Sequence, residues 1–158
     1  MSATQQETGQ DRRQYITFLA TGQEFAADIM TIREIRGWTE TTALPHVPEF
    51  VRGVINLRGT VLPVIDLKAR LGLGLTEATA KHVIIVVKSA ERTIGLLVDA
   101  VSDILTVSRN EIQSVPEVVR ETQNDYVEGI AVLDGRMVTL LGMTKLTSSF
   151  GLDGALAA

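Results

Sequence analysis

The sequence predicts a mainly β fold built from two similar small units, on three observations. The chain is rich in aliphatics and poor in rings: 45% of its residues are hydrophobic but only 4% aromatic. Val, Ile and Leu suit the pleated, half-buried surface of a strand. The apolar residues also come in short runs broken by Gly, Pro and Asp, the punctuation of hairpins and tight turns. Finally, the chain repeats itself. Shifted by 76 positions, residues 50–67 lie over residues 126–143. Val51/Val127, Gly53/Gly129, Leu57/Leu133 and Gly59/Gly135 are identical, and Val61/Met137, Leu62/Val138, Val64/Leu140, Ile65/Leu141 and Leu67/Met143 are apolar in every pair. Short strands with turn signals at regular spacing favour barrels or sandwiches over a βαβ design.

Taken in order, residues 1–13 are polar and read as a disordered tail, with Arg12 and Arg13 in solvent. Residues 14–20 alternate at period two, as a half-buried strand does. Thr21-Gly22-Gln23 is a turn, where Gly supplies a positive φ, and a second strand covers 24–29. Residues 30–37 fit either a helical turn or a strand, and 38–44 read as extended. Pro45 and Pro48 then interrupt regular structure. A short helix is expected at 49–52, followed by a hairpin of residues 53–57 and 60–67 around Arg58-Gly59. Pro63 lacks the N–H a ladder needs, which places it at an edge or a bulge. A short helix over 66–71 ends at Gly72 and Gly74. Residues 82–87 and 93–98 form another apolar pair around residues 89–92, and 101–107 continues apolar. Pro116 lies in a looser stretch. Residues 126–133 and 137–141 make the last hairpin around Asp134-Gly135, 145–150 closes as a helix, and 151–158 frays.

A net charge of −4 and a pI near 5.2 argue against nucleic acid, because neutralising phosphates takes a clustered basic surface. The absence of cysteine excludes disulfides, thiolate metal sites and a cysteine nucleophile. The N-terminus lacks the apolar core of a secretory signal, and no apolar run is long enough to span a bilayer. These points place the protein in the cytoplasm.

The chemistry-bearing residues are few. His46 lies between two prolines and His82 opens a strand; neither has a second ligand at metal-binding spacing. Gly72-Leu-Gly74 is too short for a phosphate loop. Asp66 and Asp99 end apolar strands, where aspartates ordinarily cap the next element. A hydrolase or ligand-binding barrel would require both carboxylates to converge on a deep apolar pocket. Arg58, at a hairpin tip, and Glu34, in Arg33-Glu-Ile-Arg36, are either solvated surface charges or anchors for a partner through charge-assisted hydrogen bonds. Residue physics alone leaves both readings open.

Read as a unit, Val51-Arg-Gly-Val-Ile-Asn-Leu-Arg-Gly-Thr-Val-Leu-Pro-Val-Ile-Asp-Leu67 resembles the central motif of the chemotaxis coupling protein (CheW) family, shared with the regulatory domain of the histidine kinase CheA. Gly22 through Ile29, Glu34-Ile-Arg-Gly37, Pro45-x-x-Pro48, Gly95-Leu-Leu-Val-Asp99 and Tyr126-x-x-Gly-Ile-Ala131 match in order, so that the likeness runs from Tyr15 to Leu146. The resemblance implies two SH3-like five-stranded β-barrel subdomains around a shared hydrophobic core, within one domain over residues 14–150. It also implies a free-standing adaptor with no enzymatic activity, cofactor or metal. Such an adaptor couples transmembrane chemoreceptors to CheA and works at the inner face of the membrane through receptor complexes.

Carried over position by position, the resemblance assigns Glu34 and Arg58 to receptor coupling, together with Gly53 and Asn56 of the same motif, which serve it either by contact or through backbone shape. Val83, Gly95 and Ile104 join them as second-barrel positions near a groove that takes the receptor's helical hairpin tip. Ile16, Ile29 and Ile32 become first-barrel positions that dock on the kinase regulatory domain, although each also fits a plain core. Gly142 departs from the family pattern, standing where an aspartate is common, as Asp66 does in the first repeat. Asn56 and Arg58 have Val132 and Asp134 as counterparts. Polar residues present in only one repeat are therefore the ones expected to meet partners.

Overall fold

The computed structural model describes residues 12–89, 92–115 and 126–149. Its strands are β1 (Arg12–Ala20), β2 (Gln23–Asp28), β3 (Ile32–Gly37), β4 (Val51–Leu57), β5 (Thr60–Asp66), β6 (Val83–Ser89), β7 (Arg92–Val98), β8 (Ala100–Ser108), β9 (Ile112–Gln113), β10 (Val127–Leu133) and β11 (Arg136–Leu141). Two short helices follow equivalent hairpins: α1 (Leu67–Arg70) after β5 and α2 (Met143–Ser149) after β11. The strand β1 begins at Arg12, so it takes in two residues expected in the tail; Arg13 reaches Asp28 at 4.0 Å. The expected tails over 1–11 and 151–158 and the stretch around Pro116 lie outside the described residues.

Strands β3–β7 form one sheet in the order β3-β6-β7-β5-β4. The segment after β3 returns to the far edge, where Thr42 and Val54 exchange N–H···O bonds of 2.9 and 2.8 Å, and this closes a central barrel. The other sheet runs β8-β1-β2-β11-β10-β9. The 3-10 turn Arg109–Glu111 joins β8 to β9, with the Glu111 carboxylate accepting the Ser108 N–H at 2.8 Å. The two strands act as one bent strand, which gives this terminal barrel five positions as well.

The two units are not successive halves of the chain. The N-terminal hairpin β1–β2 completes the barrel that the C-terminal strands build, joined through a parallel pairing of β2 with β11. The same parallel step joins β7 to β5 in the central barrel. Each barrel has its own interior: Ile55, Leu62, Val64, Ile84, Val86 and Leu97 in the central one, and Tyr15, Ala26, Leu105, Val107, Val138 and Leu140 in the terminal one. A third and larger cluster, including Phe18, Phe25, Ile65, Leu67, Ile85, Val87, Leu96, Leu141 and Leu146, draws on both sheets and forms the shared core.

Local chemistry accounts for the details. Both repeat hairpins turn on two residues of positive φ, Arg58-Gly59 (50° and 87°) and Asp134-Gly135 (51° and 74°), the I′ geometry that matches strand twist. Pro63 lies opposite Val54, whose N–H and C=O are both committed to Thr42. The β5–β7 pairing starts only at Val64, so no neighbour asks Pro63 for a donor. The helix expected at 49–52 does not form: residues 49–50 are a turn and β4 begins at Val51. Residues 38–44 contribute a single bridge, at Thr42, instead of a strand.

Candidate functional site

The β4–β5 hairpin presents Arg58 at its tip with the side chain 72% exposed. Arg58 Nη2 donates to Glu34 Oε1 at 2.7 Å. Barrel closure explains the meeting: β3 and β4 are the two edges of the sheet, 24 residues apart in sequence but adjacent once the sheet curls. The hydrogen bond from Arg58 holds the Glu34 carboxyl below its ordinary range, assisted by the charges of Arg58 and then Arg36. The same bond raises the guanidinium's pKa, so the pair is ionic throughout the physiological range. Asn56 Oδ1 accepts the Gly59 N–H at 2.8 Å and locks the turn that carries Arg58. Val61, the cross-strand neighbour of Asn56, is 68% exposed and adds an apolar patch beside the charged tip. Nothing in its residue type marked Val61 in advance; only its outward register reveals it.

The other expected receptor positions are distributed differently. Gly53 is buried at a bulge with φ +139°, where an added Cβ would stand 2.2 Å from the Thr42 carbonyl oxygen. Gly95 is also buried, and a Cβ there would meet Ile84 Cγ2 at 2.8 Å. Both glycines therefore shape the barrel from within. Val83 starts β6 and packs, half-buried, against the shared core.

The resemblance grouped Ile16, Ile29 and Ile32 in one barrel and Val83, Gly95 and Ile104 in the other. The sheets divide them otherwise. Ile104 lies in β8 of the terminal barrel, directly across from Ile16 in β1. Ile32 opens β3 of the central barrel and pairs with Val87, while Ile29 stands in the 3-10 turn Ile29–Thr31 that links the barrels. The grouping by barrel does not hold, because the N-terminal hairpin joins the C-terminal strands through the β2–β11 pairing. Ile16 is 8% exposed and Ile104 56%. Met30, next to Ile29, is 85% exposed, an apolar residue at the linker that sequence patterning did not single out.

Two polar clusters also escaped sequence reasoning. Asp66, fully buried, accepts from Ala69 N, Thr76 N and Thr76 Oγ1, with Arg52 Nη1 3.5 Å away and itself donating to the Thr76 carbonyl. The capping expected of Asp66 is present, but its larger task is to pin the 71–79 loop. In the terminal barrel, Arg136 reaches Glu24 and Asp103. Thr17, and then Arg136, hold the Asp103 carboxyl below its ordinary range. Asp99 accepts the Thr21 N–H at 3.1 Å and lies 3.4 Å from His82 Nε2. Asp66 and Asp99 thus serve separate structural networks. Neither lines the open cleft beside α2, which is bordered by Arg13, Asp28, Glu128, Gly142 and Lys145. Asp66 and Asp99 therefore do not converge on one pocket.

Paired SH3-like barrels with an exposed ion-paired hairpin tip define a two-barrel β module. The CheW-like domain family matches residues 14–150, and the chain belongs to that family. It is 49% identical to the probable chemotaxis protein CheW of Rhizobium etli over 98% of this chain and 100% of that one. It is 48% identical to chemotaxis protein CheW of Rhizobium meliloti over 87% of this chain and 88% of the relative. Among solved structures, the scaffolding protein TtCheW of Thermoanaerobacter tengcongensis superposes with a TM-score of 0.74 at 34% identity, covering 82% of this chain and 88% of the other. Among the described residues no helix is long and apolar enough to cross a membrane.

Proposed function

We propose that the protein is an adaptor coupling transmembrane chemoreceptors to the histidine kinase CheA, held at the inner face of the membrane through its receptor complexes. It works by placement rather than by chemistry. The observation that carries the reading is Arg58, a bulky residue in a left-handed conformation at an exposed tip. That conformation costs a non-glycine residue about 1 kcal/mol or more, and an asparagine or aspartate would fit it better. Asn56 locks the turn and Glu34 steers the guanidinium, so the strain maintains a preset charged rim.

In this reading the receptor's helical hairpin tip lies in a groove beside the rim, the helix-in-groove mode. Arg58, Glu34 and Val61 make contact. Val83 and Ile104 flank the groove from the two barrels, and Gly53, Asn56 and Gly95 keep the rim in shape. The kinase regulatory domain takes the apolar linker face at Ile29 and Ile32, with Ile16 supporting it from β1. Polar rims of this kind set partner choice and association rate more than fold stability.

Arg58→Glu tests the proposal by placing two carboxylates together at an exposed position. The thermal midpoint is expected to stay within about 2 °C, as for most surface substitutions. Capture by an immobilised receptor cytoplasmic fragment is expected to be lost. Retained capture by a folded Arg58→Glu protein removes the rim from the interface.

A further inference from the structure

Equivalent positions of the two repeats meet on one side chain. Phe50 and Tyr126 lie 76 residues apart, each immediately before the first strand of its hairpin. Their backbone roles match: the Phe50 carbonyl accepts the Asp66 N–H and the Tyr126 carbonyl accepts the Gly142 N–H, both at 2.7 Å. The donors are again 76 apart. At the end of α1, the guanidinium carbon of Arg70 lies 5.5 Å from the Phe50 ring centroid and 4.9 Å from that of Tyr126. The counterpart of Arg70 in the second repeat is Leu146 on α2, fully buried in the shared core.

One cation therefore touches an aromatic ring from each barrel, at a place where the other repeat uses a leucine. The aliphatic contacts of the shared core are non-directional and by themselves set no preferred angle between the barrels. A planar guanidinium over ring faces is directional, because the attraction falls away as the cation leaves the face.

We propose that Arg70 is a positioning residue that fixes the angle between the two barrels, and so passes a displacement at the Arg58 rim to the surface of the terminal barrel. The first half of this statement stands on the Phe50–Arg70–Tyr126 geometry; the second rests on the adaptor reading above. The two halves fail separately.

The chain has no cysteine, so a label pair is specific without background removal. Val61→Cys and Met137→Cys occupy equivalent places on the two hairpins, 68% and 67% exposed. Spin labels there report the inter-barrel distance by pulsed dipolar spectroscopy. With Arg70 present a single narrow distribution is expected. Arg70→Leu is expected to broaden it or shift its mean while amide-exchange protection within both sheets is kept. Should Arg70→Leu fail to fold, Arg70→Met decides, since an unbranched chain of similar reach fills the same space without a cation. Distributions that superimpose on the parent in the folded variant overturn the positioning role.

The second half is read with the unlabelled full chain, a soluble receptor hairpin fragment and a CheA-type kinase. Arg70→Leu is expected to bind each partner separately with unchanged affinity, and to lose about fivefold or more of the receptor-dependent change in kinase activity, the lower end of ordinary coupling energies. Undiminished control of the kinase overturns transmission through Arg70. Failure of the wild-type chain to bind either partner overturns the adaptor reading and leaves the distance result standing.

Discussion

Gly53→Ala separates shape from contact at the rim. Gly53 has φ +139°, a conformation that side-chain-bearing residues rarely adopt, and holding alanine there costs about 1–3 kcal/mol. The added Cβ would lie 2.2 Å from the Thr42 oxygen, 2.7 Å from the Thr42 carbonyl carbon and 3.1 Å from Ala43 Cα. All three are backbone atoms, so no rotamer change relieves the overlap. The strand must move away from residues 42–43, which breaks the paired bonds between Thr42 and Val54 that close the barrel. Two backbone bonds are worth roughly 0.5–1.5 kcal/mol each, for a total with the strain of roughly 2–6 kcal/mol. A domain of this size stands about 5–15 kcal/mol above its unfolded state and loses about 2–4 °C of midpoint per kcal/mol. The expected fall in thermal midpoint is therefore roughly 4–24 °C by circular dichroism. Receptor capture, measured well below the new midpoint, should decline only as far as the Arg58 hairpin shifts. A Gly53→Ala protein that melts within about 2 °C of the parent yet no longer binds receptor would refute this reasoning and make Gly53 a contact.

Two further outcomes follow from the charged networks. The Glu34 carboxyl is held low by its bond from Arg58, so the pair is intact at neutral pH and above the ordinary carboxylate range, and is lost only as pH falls through the lowered value. An NMR titration of Glu34 should show a midpoint below that of a free glutamate and a return upward in Arg58→Ala; identical midpoints would mean that the pair is not populated in solution. Asp66→Ala strips a fully buried carboxylate from three donors and leaves Arg52 without its counter-charge. About 3–5 kcal/mol should be lost in urea denaturation, with early proteolytic cutting within 71–79. A loss below about 1 kcal/mol would show that solvent replaces the aspartate without difficulty.

The parts of the fold that local chemistry dictates were legible in the sequence. Period-two runs located the paired strands, and the glycines at 22, 59 and 135 marked their turns because each has a positive φ. The 76-residue repeat announced two units, and the hydrogen bonds at Phe50 and Tyr126 reproduce it atom for atom. Connectivity between units was not legible. Whether β1–β2 joins β3 or β11 depends on a parallel pairing between residues 25–27 and 139–141, and no local preference records a contact of that range. The helix expected at 49–52 failed for a related reason: β4 needs Val51 for its pairing with Ile65, and that tertiary bond overrides a four-residue propensity. At the rim, Arg58 and Glu34 were each recognisable as unusual, but the ion pair between them exists only because the sheet closes.

The repeat also sharpens which polar residues belong to the frame. Asn56 and Arg58 have no like counterparts at 132 and 134, which by sequence alone assigned both to partners. In the structure Asn56 holds the turn through Gly59, a structural task. The terminal barrel also ties its hairpin to the adjoining strands with an arginine; its Arg136 sits two positions after the counterpart of Arg58 and reaches Glu24 and Asp103. An arginine–carboxylate clasp between hairpin and wall is therefore common to both barrels and cannot by itself mark a binding site. What differs is exposure and strain. The Arg136 side chain is 33% exposed and sits on a strand, with two carboxylates around it. Arg58 is 72% exposed, has one carboxylate, and occupies a left-handed position that the other repeat gives to an aspartate. A frame needing only a clasp would use the Arg136 arrangement twice. Moving the arginine to the tip costs backbone strain and leaves most of the guanidinium in water, a difference that the proposed receptor contact would account for.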